Sequence, residues 1–516
     1  MSGTGRIKSF FSGLSFREKS AVISKTAMVL LVLTIMAFHL VVFDIGDGDV
    51  FFTTVVLIGA IFLLHPLFFL LFYWPVFILL MLDLHLFRAY GLSLAGFGEQ
   101  ATTIILNTNT AEILEYLTRL GWLEYGILAS VLAASVVSLF HVPDLKMLSR
   151  KKRMLVFILL LSVYPFSFVS HFYPLIRSAG ENEKNDIIAQ ARAFRFRPEE
   201  HTKADTVVVL IGETHRQQEF SPVFDQYAAG FPELYRFSDM ISPSGSTLDA
   251  VPVILSRKKG TDTRGFFPER SLFSLFKEAG YTTYFLHYVE MYADNHLNSV
   301  YSEADRFIKY TRKVTPTSDE DILPALDAVL SEPGKKKLIV IKMVGCHVNF
   351  IDRYPSGLSF FQHALQEFQQ RTKEREMHHY RKAIAYSAGI VAKIMNKTES
   401  RSEPSLLFFS SDHGICIFDK GIFHVPFNCR NAFHIPTMIL LNPALSAMTP
   451  QPVKDNLKCN RDKPLTEEYD FETIASLAGI VHPTADRKYD LTKRCVPKGG
   501  KRVVFTERER VFYEDL

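Results

Sequence analysis

Acidic and imidazole side chains stand where predicted strands of this chain end. Asp412 and His413 directly follow the apolar run Leu406–Ser411, and Glu213 follows a second such run. Carboxylate oxygen and imidazole nitrogen are ligands that Zn²⁺ takes in proteins. Thr247 offers a hydroxyl, which becomes a useful nucleophile when a metal ion lowers its pKa. These four side chains therefore predict metal-assisted nucleophilic chemistry.

Each of these signals also has an ordinary structural interpretation. Glu213 could be an acid at a helix N-terminus, where the helix dipole stabilises it. Asp412 could belong to a common turn, and Thr247 could be an N-cap residue. His347 and His424 add two further groups that can bind a metal ion, and the first of them also follows a predicted strand. The combination favours one shared site.

The elements that position these residues alternate between apolar runs and longer helical patterns from residue 204 onward. The predicted strands are Thr206–Ile211, Thr282–His287, Lys337–Val344, Leu406–Ser410, Thr437–Leu441 and Val503–Thr506. The predicted helices are Phe273–Ala279, Asp321–Leu330 and Tyr380–Met395. This alternation is typical of an α/β domain with a mostly parallel sheet. Because ligands bind beyond the carboxyl ends of parallel strands, the candidate ligands should meet at one edge of the sheet.

The first third of the chain is strongly apolar and predicts a membrane domain over residues 1–175. A helix needs about 20 apolar residues to cross the hydrocarbon core. Five spans are predicted, at about 26–43, 50–72, 75–90, 122–140 and 154–170. A signal peptide is the alternative for the first run, but no small-residue cleavage site follows it. Basic loops alternate with acidic loops, which places the N-terminus in the cytoplasm and residues 204–516 outside it.

Residues 176–203 form a predicted linker. They could be a helix lying on the bilayer surface or a solvated connection, and the pattern suits both. The net charge of the chain is +4, so its composition carries no sign of nucleic-acid binding.

The cysteines agree with a domain outside the cytoplasm, where disulfides persist. All five fall in it: Cys346, Cys416, Cys429, Cys459 and Cys495. An odd number leaves at least one thiol unpaired, and sequence alone leaves the connectivity open. The trial pairs are Cys416–Cys429 and Cys459–Cys495.

The chain resembles the bacterial phosphoethanolamine transferases that modify lipopolysaccharide, within the alkaline phosphatase/sulfatase superfamily. Five predicted spans before a soluble domain also match that family. The matching motifs are Ile211-Gly212-Glu213-Thr214, Gly245-Ser246-Thr247 with Val251-Pro252, His347 with Arg353-Tyr354-Pro355, Ser411-Asp412-His413-Gly414, and Phe423-His424-Val425-Pro426.

This resemblance implies a membrane α-helical bundle followed by an α/β domain of the alkaline phosphatase/sulfatase type. The protein would lie in the bacterial inner membrane, in contact with membrane lipids, with its catalytic domain (204–516) in the periplasm. The zinc ligands would be Glu213, Thr247, Asp412 and His413, with Thr247 as the nucleophile that becomes phosphorylated. One or two zinc ions are implied.

The remaining site residues implied by the resemblance would bind the substrate. His347 and His424 would hold the phosphoethanolamine group or a second zinc ion, and could move protons. Thr108 and Glu112 resemble membrane-side residues that contact the lipid donor. The family asparagine four residues before Thr108 is Ile104 here.

The acceptor side departs from the family pattern. Members that modify lipid A usually flank the threonine with cysteines, and this chain has Pro243 and Val253 or nearby non-cysteine residues there. An acceptor in the core sugars is therefore an alternative to lipid A.

The implied reaction transfers phosphoethanolamine from phosphatidylethanolamine to lipopolysaccharide through a phospho-threonine. A phosphoglycerol transferase or a related phosphatase of the same superfamily is the alternative, since it would share the threonine and the metal ion. A sulfatase activity would need a Cys/Ser-x-Pro-x-Arg pattern, which does not occur around Thr247. A third hypothesis is a membrane-tethered binding protein that has kept the fold without catalysis.

Overall fold

A computed structural model describes residue 15 and the ranges 181–199, 202–260, 267–288, 296–311, 318–334, 336–357, 372–419, 429–506 and 510–516. The five predicted membrane spans lie outside these residues, as do Thr108, Glu112 and His424. None of the helices in the described ranges has the length and apolar character that a membrane crossing requires.

The described residues of the C-terminal part contain ten strands and ten helices. The strands are β1 Thr206–Gly212, β2 Leu234–Ile241, β3 Thr282–His287, β4 Arg306–Lys309, β5 Lys337–Lys342, β6 Ser405–Ser411, β7 His434–Leu441, β8 Leu465–Thr466, β9 Val503–Phe505 and β10 Arg510–Phe512. The helices are α1 Glu181–Ala193, α2 Gln217–Ala228, α3 Thr247–Leu255, α4 Leu272–Glu278, α5 His296–Tyr301, α6 Ile322–Ser331, α7 Lys373–Glu399, α8 Pro443–Met448, α9 Gln451–Cys459 and α10 Asp470–Ala478.

Eight of the strands form one sheet in the order β4-β3-β5-β1-β6-β7-β2-β8. Strand β7 runs antiparallel to β6 and β2, and the other neighbouring pairs are parallel. The mostly parallel sheet predicted from the alternation of elements is therefore confirmed. Strand β1 lies in the middle, and every one of its residues is buried, which explains its continuous apolar sequence.

Helices cover both faces of this sheet. Successive strand residues point to opposite faces, so Val207 and Val209 join a core with helices α3, α4 and α10. Val208 and Leu210 join a second core with helices α2, α6 and α7. The domain therefore has three layers, and only the strand ends and loops remain available for a polar site.

Two predictions about strands need correction. Strand β2 was not predicted, because Arg236, Ser238 and Asp239 interrupt its apolar pattern. It can carry them because part of β2 is exposed near the edge of the sheet. The predicted strand Val503–Thr506 exists as β9, but it pairs with β10 in a separate two-stranded sheet.

The predicted linker contains the helix α1 and then approaches the domain. Phe196, just after α1, is 1% exposed and packs against Phe471 and His482. The end of the linker is therefore anchored in the core beside α10. The surface-lying helix predicted for this segment stays a prediction.

Both predicted disulfides are present. Cys416 is bonded to Cys429, and Cys459 is bonded to Cys495. Cys346 is a free and buried thiol.

Candidate active site

Two neighbouring parallel strands, β1 and β6, deliver the acidic residues to one edge of the sheet. Strand β1 pairs with β6 so that Gly212 lies beside Ser411, and each strand ends at that pair. The next residues are Glu213 and Asp412, both nearly inaccessible to solvent. The register of the sheet therefore places these two carboxylates side by side.

Thr247 completes the group from the start of helix α3. Its hydroxyl Oγ1 lies 2.7 Å from Asp412 Oδ2, 3.2 Å from Glu213 Oε2 and 3.2 Å from His413 Nε2. The preceding residue, Ser246, makes no side-chain cap to the helix. Thr247 is the half-buried member of the group. The structure thus brings Glu213, Thr247, Asp412 and His413 together.

Hydrogen bonds leave one ring nitrogen of His413 free to act as a ligand. Its Nδ1–H donates to the carbonyl oxygen of Gly414 at 2.7 Å, and a carbonyl can only accept. The lone pair is therefore on Nε2, the atom that contacts Thr247. A side chain on Gly414 would meet the Asn431 carbonyl oxygen at 2.0 Å, so glycine is required there.

Glu213 is held by the loop that follows β5. The backbone N–H of Cys346 donates to the Glu213 carbonyl at 2.9 Å. Gly345, at φ +57°, approaches so closely that a Cβ would lie 2.7 Å from the same oxygen. On the other side, the Thr214 hydroxyl donates to Glu213 Oε1 at 2.6 Å. These contacts orient the carboxylate before any ligand binds.

Lys342 is part of the site, although the sequence analysis did not select it. Its Nζ donates to Glu213 Oε2 at 2.7 Å and to Asp412 Oδ2 at 2.9 Å. A lysine that ends the otherwise apolar strand LIVIK was the signal that could have found it.

The electrostatics of the group follow from these contacts. Burial raises the pKa of Glu213, but the Lys342 ammonium and the imidazoles of His413 and His347 outweigh it, so that pKa stays well below its usual range. Burial lowers the pKa of Lys342, and Asp412 and Glu213 more than reverse this, so its pKa is raised. The Glu213 carboxylate and the Lys342 ammonium are therefore both charged at neutral pH.

His347 lies in the loop after β5, where Asp319 fixes the backbone. The Asp319 carboxylate accepts from the backbone N–H groups of Val344 and Gly345 at 2.8 and 2.9 Å. His347 is half-buried and close enough to influence the pKa of Glu213. Asp319 comes from a turn before α6 and was missed, since nothing in its local sequence marks it.

Tyr380 is a second supporting residue that sequence reasoning missed. This buried side chain of α7 donates its hydroxyl to the Thr214 carbonyl at 2.9 Å and accepts from the Arg216 backbone N–H at 2.8 Å. Arg216 in turn pairs with Asp419 at 3.2 Å. This network connects the residues after Glu213 with the chain just before the segment that carries His424.

Comparison with known proteins gives a family for this arrangement. The sulfatase family profile matches residues 205–480. The phosphoethanolamine transferase EptC of Escherichia coli is 23% identical over 274 residues, which cover 49% of this chain and 48% of that protein.

Two solved structures share the fold. The C-terminal periplasmic domain of EcEptC from Escherichia coli, in complex with Zn, has a TM-score of 0.52 and 19% identity, and the match covers 62% of this chain and 95% of that one. The integral membrane protein lipooligosaccharide phosphoethanolamine transferase A from Neisseria meningitidis has a TM-score of 0.59 and 16% identity, with 93% and 98% covered.

The chain spans about half the length of the EptC protein that it matches. The match to the sulfatase family profile covers more than half of this chain. It includes Glu213, Thr247, Asp412 and His413. The motifs had predicted the same superfamily. The chain belongs to the sulfatase family of the alkaline phosphatase superfamily.

Proposed function

We propose that this protein is a zinc-dependent phosphoethanolamine transferase that uses Thr247 as its nucleophile. The observation that carries the proposal is the position of the Thr247 hydroxyl, within 3.2 Å of Glu213, Asp412 and His413. A threonine used only to cap a helix would turn its oxygen to the helix N–H groups, and this one makes no such contact. The names of EptC and of lipooligosaccharide phosphoethanolamine transferase A support phosphoethanolamine as the transferred group.

The residues fit a zinc ion. One ligand atom from each of Glu213, Asp412 and His413 lies within 4.8 Å of the others, and these atom types form a common zinc set. When bound, Zn²⁺ would supply positive charge that lowers the pKa of the Thr247 hydroxyl and neutralises phosphoryl oxygens.

The first step follows from the place of Thr247 at the start of α3. Its oxygen forms a bond to the phosphorus of phosphatidylethanolamine, and the bond from phosphorus to the diacylglycerol oxygen breaks. Thr247 loses its proton, and the departing diacylglycerol oxygen gains one. Backbone N–H groups in the first turn of α3 can donate to the phosphoryl oxygens.

The second step regenerates the threonine. An oxygen of the lipopolysaccharide acceptor attacks the phosphothreonine, the bond from phosphorus to the Thr247 oxygen breaks, and the proton of the acceptor returns to Thr247. We assign proton transfer and binding of the ethanolamine group to His347 and His424. We assign contact with the lipid donor to Thr108 and Glu112. Lipid A and the core sugars remain the two acceptor classes.

The proposal also places the protein in the inner membrane. The predicted spans and the alternation of loop charges support an inner-membrane protein with residues 204–516 in the periplasm. Two disulfides within residues 416–495 support an oxidising compartment.

The test compares lipopolysaccharide from cells with wild-type protein, with Thr247→Ala and with Thr247→Ser. Wild type should add the mass of phosphoethanolamine to the lipid A or the core fraction. Thr247→Ala should lower transfer roughly 1,000-fold or more, because the nucleophile is absent. Thr247→Ser keeps a hydroxyl and should retain part of the activity. Full transfer by Thr247→Ala would exclude a covalent threonine intermediate.

The mass of the trapped threonine adduct distinguishes a phosphoethanolamine transferase from a phosphoglycerol transferase. An ethanolamine-containing adduct supports the proposal, and a glycerol-containing adduct would identify a phosphoglycerol transferase. The adduct is measured on the peptide that contains Thr247 after brief exposure to donor lipid without acceptor.

A further inference from the structure

The turn that leads to Thr247 is held by its own serine side chains. Residues 242–246 join strand β2 to helix α3, so the shape of this turn decides where the Thr247 hydroxyl lies. Ser242 Oγ lies 2.8 Å from the Ser244 carbonyl oxygen, and Ser244 Oγ accepts from the Ser246 N–H at 3.2 Å. Each of the two hydroxyls therefore fixes the backbone two residues further along the chain.

A carboxyl group from another element contacts this turn. Glu467 lies in the short 3₁₀ helix Glu467–Tyr469 just before α10, and its side chain is completely buried. Its Oε2 lies 2.8 Å from Ser242 Oγ, and its Oε1 has no hydrogen-bond partner in the part of the chain that the structure describes. The hydrogen bond of the Glu467 carboxyl group is therefore made with the turn that leads to the nucleophile.

The three oxygen atoms require a proton on Glu467. The Ser242 hydroxyl has one proton, and the Ser244 carbonyl can only accept, so that proton lies between Ser242 and Ser244. The contact with Glu467 then needs a second proton, which the carboxyl group supplies. If Glu467 were ionised, one of the two 2.8 Å contacts would join two oxygens with no proton between them.

The surroundings of Glu467 favour the same neutral form. Burial raises the pKa of Glu467 well above its ordinary value, and the nearby Asp470 raises it further. Asp412 adds to this effect and Lys342 opposes it, so Glu467 lies within electrostatic range of the active site. A carboxyl group in this place is therefore a hydrogen-bond donor close to the reacting groups.

We infer that Glu467 is a positioning residue for Thr247, because its carboxyl O–H holds Ser242 and, through Ser242, the turn that presents the nucleophile. The inference rests on Thr247 being the nucleophile of the proposed function. Glu467 acts through the turn, since its side chain is buried and its hydrogen bond goes to Ser242. The position of the attacking oxygen matters because a displacement of about 1 Å can lower a rate roughly 100-fold.

Variants of Glu467 test the hydrogen bond. Glu467→Met removes the donor and keeps an unbranched side chain, so Ser242 loses the contact that anchors it to the rest of the domain. The kcat for transfer should fall roughly 10- to 100-fold, and the KM for the donor lipid should stay near its wild-type value. Glu467→Gln keeps an N–H donor for Ser242 and should recover most of the kcat.

The assay uses the full-length protein with phosphatidylethanolamine in detergent micelles and purified lipopolysaccharide. Initial rates are divided by the folded fraction, which pulse proteolysis measures for each variant. A role in stability alone would change the folded fraction and leave the corrected kcat unchanged.

Ser242→Ala removes the same connection from the other side. Its kcat should fall at least as far as that of Glu467→Met. The double variant should then be no slower than Ser242→Ala alone, because both changes remove one interaction. Independent effects would instead multiply.

Asp490→Asn offers a matched control. The Asp490 carboxylate also accepts from a buried contact with a serine, Ser476 of helix α10, and none of its hydrogen bonds in the described ranges reaches residues 242–246. This variant should be less stable than wild type. Its corrected kcat should equal the wild-type value.

The outcomes separate the inference from the proposed function. A wild-type kcat in folded Glu467→Met, or a Glu467→Gln protein as slow as Glu467→Met, would overturn the inference. A wild-type kcat in Ser242→Ala would do the same even if Glu467→Met did not fold. Full transfer by Thr247→Ala would overturn the proposed function itself, whatever the variants of Glu467 do.

Discussion

Thr214, next to the ligand candidate Glu213, has a φ of +61°. A β-branched residue rarely adopts this left-handed conformation, so surrounding contacts must hold it. Its carbonyl accepts from the Tyr380 hydroxyl, its N–H donates to Asp412, and its own hydroxyl donates to Glu213. At the residue scale, Tyr380 therefore positions Glu213 and Asp412 indirectly, by holding Thr214.

Replacing Tyr380 by Phe tests this positioning role. The change leaves the Thr214 carbonyl and the Arg216 N–H without their buried partner, which should lower the free energy of unfolding by about 1–3 kcal/mol. Because Thr214 also positions Glu213 and Asp412, zinc affinity should fall as well. Pulse proteolysis in urea measures the stability, and chelator competition measures the affinity.

Tyr301 provides the control for that variant. It is also fully buried, but its hydroxyl has no hydrogen-bond partner within the described ranges. Tyr301→Phe should change neither stability nor zinc affinity appreciably. If Tyr380→Phe weakened the fold and left zinc affinity unchanged, its role would be structural only.

At the scale of secondary-structure elements, helix α10 begins at a buried aspartate. Asp470 is 1% exposed, and neither of its carboxylate oxygens has a hydrogen-bond partner among the residues that the structure describes. Burial raises the pKa of Asp470 well above its ordinary value. Burial likewise raises the pKa of Glu467, one turn earlier, and the nearby Asp470 raises it further. Burial therefore favours the protonated form of both carboxyl groups at this helix start.

The sign of the pH dependence follows from the raised pKa of Asp470. Above a pH of about 4, the unfolded chain loses this proton while the folded chain keeps it, so stability decreases as pH rises toward the folded pKa. The slope from this group is about 1.4 kcal/mol per pH unit. Asp470→Asn cannot ionise, so it should remove that slope and be more stable than wild type at neutral pH.

Pulse proteolysis between pH 5 and pH 7 measures the two slopes. Asp490→Asn is the contrasting variant, because the Asp490 carboxylate accepts from Ser476 through one oxygen and from Thr492 through the other, and the amide nitrogen of asparagine cannot accept in place of one of them. It should be less stable than wild type at neutral pH. Equal slopes for wild type and Asp470→Asn would contradict the assignment of Asp470.

At the scale of the whole molecule, two disulfides connect parts of the domain that lie outside the central strands. Cys459–Cys495 joins the end of α9 to the chain 36 residues later, and Cys416–Cys429 spans 13 residues around the segment that carries His424. A cross-link stabilises mainly by restricting the unfolded chain, and the longer loop gains more.

Removing each bond by paired Cys→Ser changes should therefore have unequal effects. Loss of Cys459–Cys495 should cost roughly 4 kcal/mol and loss of Cys416–Cys429 roughly 3 kcal/mol by the loop-entropy relation. Stability is measured by pulse proteolysis with and without reductant. Cys346→Ala, which removes only a free thiol, should respond to reductant as the wild type does. A wild-type stability that reductant does not change would contradict the expected contribution of both bonds.

The sequence alone determined the class of the domain and much of its site. Apolar runs long enough for buried strands predicted the central sheet, because residues buried on both faces must be apolar. Glu213, Asp412 and His413 were selected because they directly follow such runs. A polar residue at the end of a buried strand must lie at the edge of the sheet, since the strand itself is covered on both faces. Family motifs added Thr247, whose local sequence alone suits an ordinary helix cap.

Tertiary structure decided what depends on neighbours distant along the chain. The register of β1 between β5 and β6 places Lys342 against two carboxylates, and no local pattern encodes that register. Asp319 and Tyr380 reach the site from other elements for the same reason. The cysteine pairing was also open until folding brought Cys416 to Cys429 and Cys459 to Cys495. Local patterns reflect burial and backbone preference, whereas the charge and shape of the site arise from side chains that only the folded chain brings together.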